Sequence, residues 1–266
     1  MADLVGTPSD ETPEILDTGR ADITTLFVSM SGRHPEGRDA EYMEWHGLDH
    51  EPEQHRLPSL RASKRLVSTP ACRAARAAGE GHYDGIDHLM TYFFAETSGL
   101  AAFDELSLAL TNAGRNPYRR GLALDVSIPH MPLVEMGAYH IDGMAAAART
   151  KVGSDVLPWW PAQGVYVLLE QGTGPASALV AVDGVAGAWW GTGIPSVTAD
   201  PGDTRFAHAD NSGLQITYAF LDGDPADTGE RLRPILEERW SSLAVTPLLA
   251  APFHTVVRYD WDRYLP

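Results

Sequence analysis

Two aromatic-rich segments of this chain read alike: Met90-Thr91-Tyr92-Phe93-Phe94 against Ile216-Thr217-Tyr218-Ala219-Phe220, 126 residues further on. Leu60 to Arg65 falls opposite Val185 to Trp190 at a separation of 125 residues. Two nearly equal separations point to an internal duplication. A chain of 266 residues is then two units of ordinary domain size.

The surrounding pattern supports that division. Ile23 to Met30 is an apolar run suited to a strand, closed by the Gly/Pro-rich SGRHPEG. Residues 39–49 place Tyr42, Met43, Trp45 and His46 at helical spacing, with Asp39 as N-cap, and Pro52 ends that helix or starts a new turn. Leu60 to Ser68 and Ile86 to Ala95 read as strands, Leu100 to Thr111 as an amphipathic helix and Leu133 to His140 as a strand. The order is β-α-β-β-α-β, the ferredoxin-like unit. In the second half Gly164 to Glu170, Val185 to Thr192, Leu214 to Leu221 and His254 to Asp260 read as strands, with helices over Pro175 to Val182 and Ala226 to Trp240. Phe27 aligns with Val167 at 140 residues, so the second unit is shorter before its second strand. The division expected is a flexible N-terminus over 1–21, a first repeat over 22–150 and a shortened second repeat over 151–266. A four-stranded sheet with helices on one face leaves its other face bare. Pairing two such faces buries both and encloses an interior suited to a small ligand.

Charge and cysteine content exclude several roles. Thirty-six acidic against 20 basic residues give a net charge of −16, which repels nucleic acid and anionic membrane surfaces alike. The lone cysteine, Cys72, offers no intramolecular disulfide and no multi-cysteine metal site. The acidic, turn-rich start has no apolar run, and nothing later reaches transmembrane length, so a cytoplasmic location is expected.

The run Tyr42-Met43-Glu44-Trp45-His46-Gly47-Leu48-Asp49-His50-Glu51-Pro52-Glu53, followed by Leu57-Pro58-Ser59-Leu60, resembles the EthD-like branch of the dimeric α+β barrel superfamily. His50 and Pro52 fall on that branch's His-x-Pro element and Trp45 on its helix aromatic; Ser59 stands where a glycine is usual. The resemblance covers residues 22–110, and the second repeat lacks the His-x-Pro element, which implies one site per chain. The fold class implied is α+β, with two ferredoxin-like repeats forming an intramolecular dimeric α+β barrel. Members of the superfamily include cofactor-free monooxygenases, isomerases, cyclases, lyases and haem-dependent dehydratases, so the fold constrains the substrate more than the reaction.

His46 and His50 stand four apart, as metal ligands on one helix face would, but no His-Glu-x-x-His pattern accompanies them, and no metal is expected. Gly172-Thr173-Gly174 lacks the third glycine of a dinucleotide loop. Asp222-Gly223-Asp224 reads as a polar turn. Along one strand His88, Met90, Tyr92 and Phe94 alternate, as do Ile216, Tyr218 and Phe220, so each set shares a face. If that face lines the barrel, the tyrosines are polar groups in an apolar wall; the alternative for Tyr218 is ordinary packing. His140 ends a strand, and one of Trp189 and Trp190 must point inward, with Trp190 taken as the cavity candidate.

These readings lead to a cofactor-independent lyase, isomerase or cyclase acting on a small hydrophobic, oxygen-bearing molecule. His50 would be general acid or base and Tyr92 a hydrogen-bond donor to a carbonyl or enolate. His88, Met90, Phe94, His140, Trp190 and Tyr218 would surround the substrate. The alternatives are a non-catalytic binding or accessory protein and a haem-dependent dehydratase. A homodimer of the whole chain is compatible with either.

Overall fold

Strand-forming runs dominate the chain, and they pair into one antiparallel sheet of nine strands in the computed structural model, which describes residues 22–79, 81–113, 133–195 and 210–266. The strands are β1 (Thr25–Ser31), β2 (Leu60–Val67), β3 (Ala78–Gly79), β4 (His88–Phe94), β5 (Leu133–Ala146), β6 (Gly164–Gln171), β7 (Val185–Gly193), β8 (Leu214–Leu221) and β9 (Thr246–Thr255). Their order is β2-β4-β1-β5-β7-β8-β6-β9-β3. A further pairing of Leu66 with Thr255 and Val67 with His254 joins β2 to β9 and closes the sheet on itself. Closure removes the open edges that a sheet of this size would otherwise expose. The first four strands, leaving aside β3, run second-third-first-fourth, and so do the last four. Residues 1–21, expected to be flexible, lie outside the described residues.

The helices are α1 (Asp39–Trp45), α2 (Glu51–Gln54), α3 (Pro70–Ala74), α4 (Gly99–Asn112) and α5 (Pro225–Ser242), with a π-helical turn over His46–His50 joining α1 to α2. Apolar side chains alternate between the two sides of the strands and so build separate cores. The barrel interior holds Leu26, Leu66, Phe93, Val167, Trp189 and Phe253 among others, with Phe93 meeting Trp189 edge to face at 5.9 Å. Outside the second half, Tyr166, Leu168 and Ala219 pack under Leu232 and Leu236 of α5. Outside the first half, Phe27, Met90, Tyr92 and Phe94 pack under Leu100 and Phe103 of α4. Each fully buried side chain of this size contributes about 1.5–3 kcal/mol of transfer free energy.

Three sequence expectations are corrected. The last strand is Thr246–Thr255 and not His254–Asp260, because Pro247 and Pro252 disguise it. The carbonyl of Ala250 accepts from Ala77, so the backbone of Pro252, two residues on, faces the stretch between β3 and β2 where no ladder donor is needed. Of the two readings of Pro52, the second holds: it starts a new turn, the first of α2 after the π turn, and the chain stays helical from Asp39 to Gln54. Asp39 is not the N-cap; Arg38 is, and the Asp39 carboxylate turns inward instead. The fourth strand also runs six residues beyond His140, through Ala146.

Candidate functional site

Facing decides the site. Leu89 and Phe93 of β4 point into the barrel, so His88, Met90, Tyr92 and Phe94 point outward, beneath the helices. The alternation left open which face of each strand lines the barrel; the His88 set does not line it, and Ile216, Tyr218 and Phe220 of β8 do. The outward residues of β4, together with Arg65 of β2 opposite Met90, form the floor of a layer roofed by α1, the π turn and α2.

Polar side chains in that layer are concentrated along the roof. The Tyr92 hydroxyl lies 3.4 Å from His46 Nε2, both buried. Gln54 Nε2 lies 2.9 Å from His50 Nε2. An amide nitrogen only donates, so this His50 nitrogen accepts and the imidazole is neutral, with its proton on Nδ1. Gln54 also acts on the Tyr92 phenol, in the direction of lowering it. Two hydrogen-bonded pairs, His46 with Tyr92 and Gln54 with His50, thus lie side by side under the roof. Burial pushes the His50 imidazole down to about 4, with Asp49 opposing and Arg65 assisting the shift. Burial also holds the Tyr92 phenol well above its usual range, and nearby Glu51 adds to that.

The π turn sets the geometry of His50. Glu51 N–H bonds the carbonyl of His46, five residues back, which widens the turn. Trp45 and His50 would lie on different faces of a regular α-helix; here their rings stack at 5.1 Å with planes 23° apart. Stacked in this way, the His50 ring is half-buried and desolvated.

Below the roof, the Arg65 guanidinium covers the Tyr42 ring at 5.1 Å. Further along, His88 Nε2 donates to Asp39 Oδ1 at 2.8 Å, and the backbone N–H of His34 reaches the same oxygen at 2.8 Å. Burial alone would raise the Asp39 carboxyl, but those two hydrogen bonds carry it below its usual value. Burial lowers His88 in spite of Asp39. Glu51, also buried, accepts from Ser63, which in turn lies 2.8 Å from His55 Nε2. The C-terminal segment lies against the roof as well: Arg258 reaches Glu51 at 3.5 Å, and a Cβ on Gly47 would stand 3.0 Å from Trp261, so only glycine fits that contact without displacement.

The inner end of the layer is apolar and ring-rich. Phe27 and Tyr92 stack at 6.2 Å, and Phe103 meets Tyr92, Phe27 and Phe94 at 4.9, 5.4 and 5.8 Å. A haem finds no free axial ligand among these histidines: the Nε2 atoms of His46, His50 and His88 are each engaged, by Tyr92, Gln54 and Asp39. Among the described residues no group of three or more His, Cys, Asp or Glu side chains is arranged to hold a metal ion.

The remaining expected residues lie elsewhere. His140 is exposed beside Asp142 at 3.4 Å, because Tyr139 takes the inward position on β5. Trp190 points outward and crosses Gly143, while its neighbour Trp189 is the buried one and donates to Ser154 O at 2.7 Å. Tyr218 is inside the barrel, its hydroxyl 2.5 Å from Thr91. Of the eight residues expected around the substrate, His50, Tyr92, His88, Met90 and Phe94 are brought to one layer and His140, Trp190 and Tyr218 are not. Asp39, Tyr42, His46, Gln54 and Arg65 were not foreseen as site residues. The spacing of Tyr42, His46 and His50 held the signal, since i, i+4, i+8 positions share a helix face.

The corresponding outer layer of the second half is closed by structure. Glu170, wholly buried, takes Arg239 in two parallel bonds of 2.9 and 2.8 Å and Trp240 Nε1 at 2.8 Å. Gln215 exchanges two 2.8 Å bonds with the backbone of Gly174.

No protein-family model matches the chain, and no curated protein sequence does. Among solved structures, the chain is similar to a proposed monooxygenase from Fusobacterium nucleatum at 7% identity, covering 88% of this chain and 93% of that one with a TM-score of 0.43. A proposed chlorite dismutase is similar at 11% identity over 90% and 97% of the two chains, TM-score 0.46. A dye-decolorizing protein from V. cholerae is similar at 11% identity over 89% and 94%, TM-score 0.42. At such scores no argument rests on them. Among the described residues, no helix is long and apolar enough to cross a membrane.

Proposed function

We propose that this chain is a cofactor-independent acid–base enzyme, a lyase, isomerase or cyclase, acting on a small apolar molecule that carries a carbonyl oxygen. The observation that carries the reading is the pairing of Tyr92 with His46 and of Gln54 with His50 against an apolar ring layer in the first half, while the second half sets Ala219 under Leu232 and Leu236 at the position equivalent to Tyr92. The shared strand order of the two halves supports a tandem repeat of ferredoxin-like units, an intramolecular counterpart of a dimeric α+β barrel. The helix that holds His50 and Pro52 is the roof of the site, in keeping with the resemblance to the EthD-like branch.

In this reading the Tyr92 hydroxyl turns from His46, which it meets at a long 3.4 Å, to the substrate oxygen. A neutral donor in an apolar layer stabilises a developing enolate more than the parent carbonyl. The lone pair on His50 Nε2 takes the proton from the adjacent carbon, with Gln54 yielding its hydrogen bond, and the imidazolium returns that proton at the new position. Asp39 and His88 hold the floor strand to α1 and position it.

The test is turnover, ligand affinity and melting temperature for Tyr92→Phe and His50→Asn, with a substrate found by screening small aromatic and polyketide-like ketones. Loss of a donor of this kind lowers kcat about 100-fold or more, and loss of the base about 100- to 10,000-fold, with stability little changed. Normal turnover in both variants would end the proposal.

A second reading draws on one observation: an imidazole that titrates at about 4 exchanges protons poorly near neutral pH. It makes the layer a passive binding site, in which the same two variants weaken affinity and no compound in the screen is converted.

A further inference from the structure

The chain holds only two lysines, Lys64 and Lys151, among its 20 basic side chains; the other 18 are arginines. An arginine stays charged in a protein, whereas a lysine surrenders its proton when desolvated. One of the two lysines is on the surface side of a turn, and the other is inside. Lys64 lies on β2 between Ala62 and Leu66, both of which face the barrel interior. Only 9% of the residue is exposed. Its Nζ reaches the carbonyl of Trp160, in the segment joining the two halves, at 3.3 Å, and stands 5.9 Å from the centroid of the Phe220 ring. Among the described residues no carboxylate lies within ion-pair distance of it, and no neighbouring charge acts on it. Desolvation alone brings the amine down to about 8. A buried ammonium without a counter-ion destabilises the fold, so its retention calls for a use.

We propose that Lys64 is a carbonyl-reactive amine that forms an imine with a small aliphatic aldehyde or ketone admitted beneath the segment that joins the halves. The nitrogen lone pair attacks the carbonyl carbon and the oxygen takes up a proton. The resulting carbinolamine loses water as the second N–H proton leaves, giving a C=N bond with no change of oxidation state and no co-reactant. The apolar, aromatic surroundings suit a carbonyl compound without charge. Arg65, the next residue, faces the opposite side of the sheet, so this amine is separate from the Tyr92 layer and does not depend on the function proposed for it.

The experiment is reductive trapping on the full-length protein with propanal and cyanoborohydride at pH 7, with the modified positions located by mass spectrometry of peptides. Lys64 is expected to be alkylated several-fold faster than Lys151, with a rate that levels off above about pH 8. Lys64→Arg should abolish the fast label, and Tyr92→Phe should leave it intact. Equal or slower labelling of Lys64, labelling only in denaturant, or no labelling of either lysine would overturn the proposal.

Discussion

Thr91 and Tyr218 hold the same place in their respective halves, and their hydroxyls meet at 2.5 Å inside the barrel. Thr91 pairs with Lys64 across β4 and β2, and Tyr218 pairs with Trp189 across β8 and β7, so the two are equivalent by pairing. Each hydroxyl satisfies the other within the buried core. Removing one leaves the other buried and unpaired, so Thr91→Val or Tyr218→Phe alone should lower stability by about 1–3 kcal/mol. The double variant should lose clearly less than the two singles together, as read by urea unfolding in a double-mutant cycle.

That pairing shows where reading from sequence ended. The matched pentapeptides set Tyr92 against Tyr218 at 126 residues, whereas the structural equivalent of Tyr218 is Thr91 at 127. A slip of one residue moves every side chain to the other face of a strand. The same slip set Phe27 against Val167, although Phe27 faces α4 and Val167 faces the barrel. Apolar alternation revealed the strands and the likeness of the halves. With both faces of β4 buried, composition carried no mark of which face was inside.

Glu170 and Arg239 show 1% and 7% of their side chains to solvent and form a buried ion pair in the outer layer of the second half. Glu170→Gln keeps the shape and strands the guanidinium in a buried place, so it should cost about 3–5 kcal/mol. Replacing both residues by methionine should restore much of that, because the uncompensated charge is gone. Chemical denaturation of the three proteins checks both statements, and ligand binding at the Tyr92 layer should be unaffected.

Stability should fall as the pH drops below neutrality. His50 titrates at about 4 in the folded protein against about 6.5 when unfolded, so between those values the unfolded chain binds a proton that the folded chain refuses. Its contribution is therefore fully present above about pH 6.5 and declines as the pH falls toward 4. Burial lowers His88 and His254 too, and they act in the same direction. From pH 7 to pH 5 the loss assignable to His50 should be of order 1–2 kcal/mol, and His50→Asn should flatten the pH profile of the urea midpoint by that amount. An unchanged slope would show that His50 titrates normally.

The site was legible in part, and for a physical reason. Helical spacing and the His-x-Pro resemblance led to the right helix, and strand alternation grouped Tyr92 with His88 and Met90. Arg65 and Asp39 escaped because their roles come from partners distant in sequence: Tyr42 reaches Arg65 from the roof, and Asp39 reaches His88 across 49 residues. Proline was read as a helix breaker, and the widened turn before it was not foreseen.

Pro52 offers the sharpest test of how that turn shapes the site. In a continuous α-helix residue 52 would donate to the carbonyl of Leu48, but proline has no N–H and its ring collides with that carbonyl, a conflict of about 3 kcal/mol or more in a regular helix interior. The π turn over His46–His50 relieves it by moving the preceding carbonyls outward, and in doing so it brings His50 over Trp45. Pro52→Ala removes the reason for the wide turn. The helix should then tighten to regular α geometry, the Trp45–His50 stack should open, and His50 should regain water. Its titration, followed by the imidazole proton resonances, should move from about 4 toward 6.5, and ligand binding at the Tyr92 layer should weaken with no loss of stability. If His50 still titrates near 4 in Pro52→Ala, the π turn is held by the packing of Trp261 on Gly47 instead, and Trp261→Ala becomes the substitution that releases it.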